Sequence, residues 1–292
     1  MDPILPKFLR GDYPFADRFV RLEGGSAMHY VDEGKGSLVL LLHDIPSWSF
    51  HFRQLIQDLS GSFRCVAPDF IGFGLSDKPA GVAYSPRSLA DNILAFCTRL
   101  NVGRFHLVLH GWGALPGMVA ALRWPERVKR IVLLNANCFA GTPPSSDEAL
   151  CHIPLLGRWL VQGLNLPVRR VAAASHPHPR IRRGYRFPYG GWRDRAPTFR
   201  FFSACSTQNA WLKELQQKLY LLSAKKAMAF WGTADRIFGH PTLEKWKSEL
   251  DFAKVHELAG IGRQVLEGEY EFILPHLRRF LLAGEEARLP TF

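Results

Sequence analysis

The sequence has no long apolar run, and this excludes a membrane-spanning helix. Its longest apolar stretches, such as Leu38 to Leu42, are far shorter than the roughly 20 residues that a transmembrane helix needs. The first residues, MDPILPKFLRGDYPF, contain acids and prolines where a secretory signal has a basic start and an apolar core. We therefore predict a cytoplasmic protein. With 47% apolar residues in 292, the chain can bury a large core.

Cysteine is scarce, and its spacing argues against a disulfide framework. The chain has five cysteines, an odd number, mostly inside apolar segments, as is typical of reduced thiols in a protein core. No CxxC pair and no cluster of histidine and cysteine indicates a metal site. We predict neither a metal nor any other cofactor.

Acidic residues are almost absent between Arg158 and Arg200. This stretch holds ten arginines, no lysine and one acid, Asp194, in a chain whose formal net charge is +11. Such a block can attract an anionic ligand, an acidic partner or an anionic membrane surface, but a solvated arginine-rich face explains it equally well. Nucleic acid is not predicted as a partner, because no binding motif accompanies the charge.

Short apolar runs bounded by turn residues are abundant. Seven of them predict strands: AMHYVDEG, SLVLLLH, FRCVAP, RFHLVLH, VKRIVLLN, KKAMAFWG and AKVHELAG. Helical patterns alternate with them; one begins at Ser85-Pro86 and runs towards Leu100, a second covers Trp112 to Trp124, and the last ends near Leu282. This alternation predicts a single α/β domain over residues 1–292, with helices on both faces of a mostly parallel sheet.

Residues 139–222 interrupt this alternation, because they contain no strand-like run and are rich in proline, glycine, arginine and aromatics. We predict that they form an inserted, mainly helical cap. Ligands of open α/β sheets bind beyond the carboxyl ends of the strands, so a cap inserted there would cover the ligand site.

The segment His110-Gly111-Trp112-Gly113 joins a predicted strand to a predicted helix. In one large group of α/β enzymes, a catalytic nucleophile occupies a sharp turn at such a junction. Glycine enters that strained backbone region freely, whereas other residues there cost roughly 1–3 kcal/mol. Gly111 therefore suits the turn, but it has no side chain with which to form an ester intermediate.

Four motifs follow one another along nearly the whole chain: HDIPSWSF, PDFIGFGLSDKP, LVLHGWGALPGM and FWGTADRIFG. They resemble the haloalkane dehalogenase-type α/β-hydrolases. Within that group, CHIPLLGRWLVQGLNLP, GYRFPYGGWRDR and GRQVLEG are most similar to the bacterial β-lactone decarboxylases of long-chain olefin biosynthesis. The resemblance implies the α/β-hydrolase fold and, in intact members, opening of a β-lactone with release of carbon dioxide and a cis-alkene.

The resemblance also implies that the catalytic triad is incomplete in this chain. The family's nucleophilic aspartate corresponds to Gly111, the acid that orients the histidine is retained as Asp235, and the histidine corresponds to Arg263. A shifted alignment places Ile261 at the histidine position instead. Neither residue can act as a general base near pH 7. We predict that Arg263 forms an ion pair with Asp235 where the histidine and the acid meet in relatives.

The family's H-G-N-P loop reads His43-Asp44-Ile45-Pro46 in this chain. The resemblance implies that Asp44 replaces a glycine, that Ile45 replaces the asparagine that binds the leaving group, and that Trp112 remains as the second donor. Loss of one such donor costs about 2.7–4 kcal/mol, and an ionised Asp44 would repel an oxyanion. We predict Trp112, Ile45 and His43 as ligand-binding residues and Asp44 as a substitute acid or base.

Other candidate groups have plainer interpretations. His110 and His43 both end strands and are interpreted as structural rather than as replacement bases. Cys138 follows a strand end, but without a neighbouring base it is interpreted as a buried small side chain rather than as a nucleophile. Four tryptophans either line an apolar pocket or belong to the core: Trp48, Trp112, Trp159 and Trp192.

We therefore hypothesise a catalytically impaired member of the family that binds an apolar or lactone-like ligand, or assembles with other proteins of its pathway. One alternative is relocated chemistry, with Asp44 as base or nucleophile and Arg263 as an electrostatic clamp. The other is the ordinary activity of the relatives. The sequence disfavours the latter, because losing a nucleophile or a base typically costs several orders of magnitude in rate.

Overall fold

A single eight-stranded sheet organises the molecule. The structure, a computed structural model, describes residues 5–283 and residue 285. The strands are β1 (Arg18–Arg21), β2 (Ala27–Glu33), β3 (Ser37–Leu42), β4 (Phe63–Pro68), β5 (Phe105–His110), β6 (Val128–Leu134), β7 (Lys226–Gly232) and β8 (Asp251–Leu258). Their spatial order is β1-β2-β4-β3-β5-β6-β7-β8. Only the β1–β2 and β2–β4 pairs are antiparallel among these described strands, which confirms the predicted mostly parallel sheet.

Helices flank this sheet. They are α1 (Arg53–Leu59), α2 (Pro86–Arg99), α3 (Ala114–Arg123), α4 (Ser146–Cys151), α5 (Leu166–Ser175), α6 (Pro179–Arg186), α7 (Ala196–Cys205), α8 (Asn209–Gln216), α9 (His240–Glu249), α10 (Val265–Gly268) and α11 (Tyr270–Leu282). In the part of the chain that the structure describes, no helix is long and apolar enough to cross a membrane.

Local sequence explains the best-predicted elements. Strand β3 is buried from Leu38 to Leu42, as expected of a central parallel strand that is covered on both faces. Helix α2 starts at Pro86 because Ser85 and Ser88 form a reciprocal capping box and proline suits the first helical position.

Two elements near the amino-terminal end were not predicted. Strand β1 is short and only partly buried, so its apolar pattern is weak, and it is held by antiparallel pairing with β2. Helix α1 covers only two turns and begins directly after a 3₁₀ turn at Ser49–Phe52, without a side-chain cap. Both depend on tertiary contacts more than on a local signal.

The strand order creates a switch point beside β3. The chain passes from β3 to β4 on one side and then returns to place β5 on the other side. The loops that follow β3 and β5 therefore lie next to each other at the carboxyl ends of the strands, where open α/β sheets bind ligands.

Residues between β6 and β7 cover that edge. The segment predicted as a cap, 139–222, contains α4 to α8 and no strand, and all of its residues are described. The Trp48 indole donates to the Gly184 carbonyl of α6 at 3.2 Å, and the Tyr185 hydroxyl donates to Glu267 at 2.5 Å. Glu267 also accepts two hydrogen bonds from the buried Arg53, so a network of buried polar groups ties the cap to the sheet layer.

Candidate functional site

The turn after β5 brings Gly111 against Asp44. Gly111 has φ +54° and opens a 3₁₀ turn, Gly111–Gly113, that leads into α3. A Cβ atom added to Gly111 would lie 2.1 Å from the Asp44 Cγ. Asp44 Oδ1 accepts a hydrogen bond from the backbone N–H of Trp112 at 2.8 Å. The carboxylate of Asp44 thus occupies the space that a side chain at Gly111 would need.

Arg263 joins this carboxylate to a second one. Its Nη1 donates to Asp44 Oδ2 at 3.2 Å, and its Nε donates to Asp235 Oδ2 at 3.2 Å. The predicted ion pair with Asp235 is present, and the contact with Asp44 was not foreseen. Arg263 rather than Ile261 reaches the site, because the Ile261 side chain lies against Gly268. The three side chains form a line, Asp44–Arg263–Asp235, at the carboxyl edge of the sheet.

The electrostatics of this line fix the protonation state of its centre. Burial disfavours the charge of Arg263, but the carboxylates of Asp44 and Asp235 outweigh burial and raise the pKa of the guanidinium. The guanidinium also stacks over the ring of Phe238, 4.4 Å from the ring centre. Arg263 is therefore a permanent cation that donates protons in hydrogen bonds and accepts none.

Asp235 is held by the ends of neighbouring strands. The Asn135 Nδ2 donates to Asp235 Oδ2 at 3.2 Å, and the backbone N–H of Ile237 donates to Oδ1 at 2.9 Å. Asn135 itself is fixed by two hydrogen bonds to Gly232, the last residue of β7. The acid is thus oriented towards Arg263 by fixed donors, so its position is set before any ligand arrives.

Three residues were predicted to bind a ligand, and they differ in what they offer. The indole N–H of Trp112 is buried and has no hydrogen-bond partner among the described residues. Ile45 is buried and contributes only apolar surface. Both nitrogens of His43 are in hydrogen bonds, with the Asp44 carbonyl and the Phe70 N–H. The imidazole of His43 therefore holds the loop and offers a ligand no free nitrogen.

The remaining candidate bases and nucleophiles are buried, and burial favours the neutral form of each. His110 Nε2 donates to the Arg263 carbonyl at 3.0 Å, and its ring stacks on His51 at 4.1 Å. Burial lowers the pKa of both histidines, so both are neutral. Burial raises the pKa of the Cys138 thiol well above its ordinary value. These groups match the structural interpretation that the sequence favoured.

Two carboxyl groups of the cap helix α4 face the same region, and the sequence analysis missed them. Asp147 pairs with Arg170 of α5 at 2.8 Å. Glu148 is buried, and burial raises its pKa to about 7, against the opposing effects of Ser145 and Arg263. The only available signal was the pair of acids behind the capping Ser145, and this pattern is usual at the start of any helix.

A pocket of about 220 Å³ lies between the cap and the carboxyl edge of the sheet and reaches Arg263 and Asp235. Its wall includes Asp147 and Arg170 from the cap and Arg236 from the loop after β7. The sequence predicted an apolar cleft. Its wall is instead partly charged, because the ion pair between Asp147 of α4 and Arg170 of α5 forms part of it. Elsewhere beneath the cap, Phe201 and Phe238 pack edge-on against Trp112.

The four tryptophans separate into two groups. Trp48 is fully buried in the core and Trp112 is buried at the site. Trp159 and Trp192, in contrast, are 51% and 43% exposed on the cap, so neither belongs to the core, and Trp192 instead lines a pocket of about 250 Å³ at the surface of the cap. Apolar residues in a small cap cannot all face inward, since the cap has one inner surface. No group of three or more metal-ligating side chains meets among the described residues.

Comparisons of the sequence and of the fold with known proteins identify relatives of the chain. A family profile described as "alpha/beta hydrolase fold" matches residues 37–164. The chain is 34% identical to the cis-3-alkyl-4-alkyloxetan-2-one decarboxylase of Shewanella oneidensis over 93% of its own length and 90% of the relative's. The corresponding decarboxylase of Xanthomonas campestris is 32% identical, over 92% and 97% of the two chains. A haloalkane dehalogenase structure from Agrobacterium tumefaciens superposes with a TM-score of 0.83 at 21% identity, covering 96% of this chain and all of that one.

Proposed function

The chain belongs to the α/β-hydrolase family that includes haloalkane dehalogenases and cis-3-alkyl-4-alkyloxetan-2-one decarboxylases, and from this premise we propose that it binds an apolar or lactone-like ligand without converting it, by hydrolysis or by decarboxylation. The ligand we infer is a β-lactone, or a related molecule, with a polar carbonyl oxygen and long alkyl chains. The proposal places it in the pocket between cap and sheet, with its oxygen near Trp112 and Arg263.

One observation carries this proposal: Arg263 bridges Asp44 and Asp235. Hydrolysis through an ester intermediate needs a side-chain nucleophile and a base that activates water. Gly111 supplies no nucleophile at the turn, and a guanidinium cannot take a proton from water. The same guanidinium and the unpartnered Trp112 N–H are hydrogen-bond donors that suit a carbonyl or carboxylate oxygen.

Binding is tested by native mass spectrometry of the protein with a cis-3,4-dialkyl-oxetan-2-one. We expect a non-covalent complex that dissociates on dilution and leaves the intact mass of the denatured protein unchanged. Trp112→Phe removes one donor and should weaken binding by about tenfold, the value of one hydrogen bond near 1.4 kcal/mol. The matched control is Trp159→Phe on the exposed side of the cap, which should leave the affinity unchanged. Equal affinity in wild type and Trp112→Phe would remove Trp112 from the ligand site.

A second candidate function rests on the position of Asp44. Because its carboxylate fills the space beside Gly111, it lies close to where a side chain from that turn would act. Asp44 could attack C4, the alkyl-substituted ring carbon bonded to the ring oxygen, breaking the C4–O bond and freeing a carboxylate beside Arg263. Loss of this carboxylate as carbon dioxide would form the alkene and expel Asp44 unchanged. This route needs no base, and Asp44→Asn would abolish it.

A further inference from the structure

The cap carries a concentrated group of exposed apolar side chains away from the candidate site. Among the described residues, eleven large apolar side chains are exposed, and six of them lie between residues 153 and 192. These six are Ile153, Leu155, Leu156, Trp159, Leu164 and Trp192. The other five are scattered over the remaining chain. Five of the six lie within residues 153–164, and the Arg158 guanidinium of that segment lies 5.7 Å from the centre of the Trp192 ring, so the six share one region of the cap. Exposed apolar side chains grouped in this way are typical of an interaction surface.

Leu155 is the most unusual member of this group. Its side chain is fully exposed, and its backbone has φ +62°, in the left-handed region that disfavours residues with a Cβ atom. Neither burial nor backbone conformation favours leucine here, and glycine or asparagine would suit both better. The Leu155 side chain has no partner that explains it among the described residues, and it is free to contact something outside the chain.

Arginines lie beside two members of this apolar group, Leu164 and Trp192. A pocket of about 600 Å³ at Leu164 is lined by Arg169, Arg183, Arg186 and Arg195 and, among the described residues, by no acid. A second pocket of about 250 Å³ at Trp192 is lined by Arg158, Arg193, Arg200 and Lys78, and none of its described lining residues is acidic.

The two pockets are adjacent, and their arginines form no ion pairs with carboxylates of the described residues. The Gln162 side chain, which lines the second pocket, donates to the Trp192 carbonyl, and its neighbour Gly163 lines the first. Of the ten arginines in residues 158–200, only Arg170 and Arg180 form ion pairs with carboxylates of the described residues. Exposed leucine and tryptophan side chains therefore lie close to arginines whose charge no carboxylate of the described residues balances.

We propose that this face of the cap, formed by the six apolar residues and the arginines of the two pockets, binds the surface of an anionic phospholipid bilayer. Leu155, Leu156 and Trp159 insert among the acyl chains near the headgroups, and the arginines contact lipid phosphates. Exposed leucine and tryptophan beside arginine is the composition of peripheral membrane-binding surfaces. Charge decides against a second copy of the chain as the occupant, because two such faces would repel each other.

The proposal is tested by co-sedimentation of the full chain with vesicles of phosphatidylcholine containing phosphatidylglycerol and with vesicles of phosphatidylcholine alone. We expect binding to the anionic vesicles and little to the neutral ones. Removing two arginines with Arg169→Gln/Arg186→Gln should weaken binding by about tenfold or more, since each basic group near the surface contributes about a factor of five. Leu155→Ser/Leu156→Ser should weaken it comparably.

Matched variants separate this face from the general basicity of the chain. Arg123→Gln/Arg279→Gln removes the same charge from exposed positions outside the cap, and Leu221→Ser removes an exposed leucine outside the six. Both should bind like wild type. Quenching of wild-type tryptophan fluorescence by brominated lipid should be lost in Trp159→Phe/Trp192→Phe. Failure to bind anionic vesicles, which would leave an acidic protein as the partner, overturns the proposal, and so does equal loss of binding in the control variants.

Discussion

The side chain of Asp44 leaves no room for a side chain at position 111. Gly111 sits in the left-handed region, and a side chain there would run into the Asp44 carboxylate, which is fixed by the Trp112 N–H and by Arg263. The residue identities at the two positions are therefore physically coupled. Carboxylates on both loops would clash, so this combination is less stable than a carboxylate on one loop alone.

This coupling predicts a strongly non-additive pair of substitutions. Gly111→Asp alone should cost roughly 2–5 kcal/mol of unfolding free energy, from the left-handed backbone and the clash with Asp44. In an Asp44→Gly background the clash is gone, and the same change should cost only about 1–2 kcal/mol. Urea unfolding of the four proteins in the double-mutant cycle measures the difference.

Gly141→Asp is the matched control for the backbone contribution. Gly141 also has a positive φ, +70°, but a Cβ atom there meets no neighbour within 4 Å. It should cost about 1–2 kcal/mol in either background. Additive costs for Gly111→Asp and Asp44→Gly would contradict the exclusion of the two side chains.

At this scale the sequence predicted part of the Asp44–Arg263–Asp235 line. The Arg263–Asp235 pair followed from the family positions of the two residues. The contact of Arg263 with Asp44 joins residues 219 positions apart, and it depends on how closely the loops after β3 and β8 approach. No local sequence pattern predicts the approach of two residues so far apart in the chain. The burial of Glu148 was missed because it too depends on tertiary packing, whereas the sequence of its helix is that of an ordinary capped surface helix.

At the scale of elements, the buried Glu148 of helix α4 makes the folding stability of the protein depend on pH. Burial raises the pKa of Glu148 from 4.5 to about 7, so the folded state keeps this proton to a higher pH than the unfolded chain does. Its contribution to stability is complete below about pH 4.5 and is lost as the pH rises through about 7.

Glu148→Gln keeps a neutral side chain at every pH. As the pH rises from 5 to 8, the unfolding free energy of the variant should increase relative to that of wild type by up to about 3 kcal/mol. Urea unfolding at the two pH values measures this gain. The same substitution at the exposed Glu271 of α11 is the control and should change stability little. A difference between Glu148→Gln and wild type that stays constant with pH would contradict the buried, protonated carboxyl.

Elements with strong local signals were predicted, and those held by tertiary pairing were not. The central strands and α2 have apolar runs or caps that need no partner to be recognised. Strand β1 exists because β2 pairs with it, and its burial pattern is too weak to indicate a strand. In the cap, composition indicated helices but could not indicate which side of each helix faces outward. The exposure of Trp159 and Trp192 was therefore not predicted.

At the scale of the whole molecule, the sequence located the positive charge but not its use. The excess of arginine between residues 158 and 200 is plain in the sequence. Only the fold shows that most of these side chains line two adjacent surface pockets beside exposed leucine and tryptophan, while the carboxylates of the candidate site lie beneath the cap. The molecule thus separates a charged outer face of the cap from a site with a fixed ion-pair line at the carboxyl edge of the sheet.

The most direct test of the central claim is a measurement of alkene and carbon dioxide released from a cis-3,4-dialkyl-oxetan-2-one by the purified protein in excess over the lactone. With Arg263 fixed between Asp44 and Asp235, we predict release no faster than in buffer, while the lactone stays bound and chemically intact. Release that exceeds the buffer rate and disappears in Asp44→Asn would contradict this claim and would establish Asp44 as a working nucleophile.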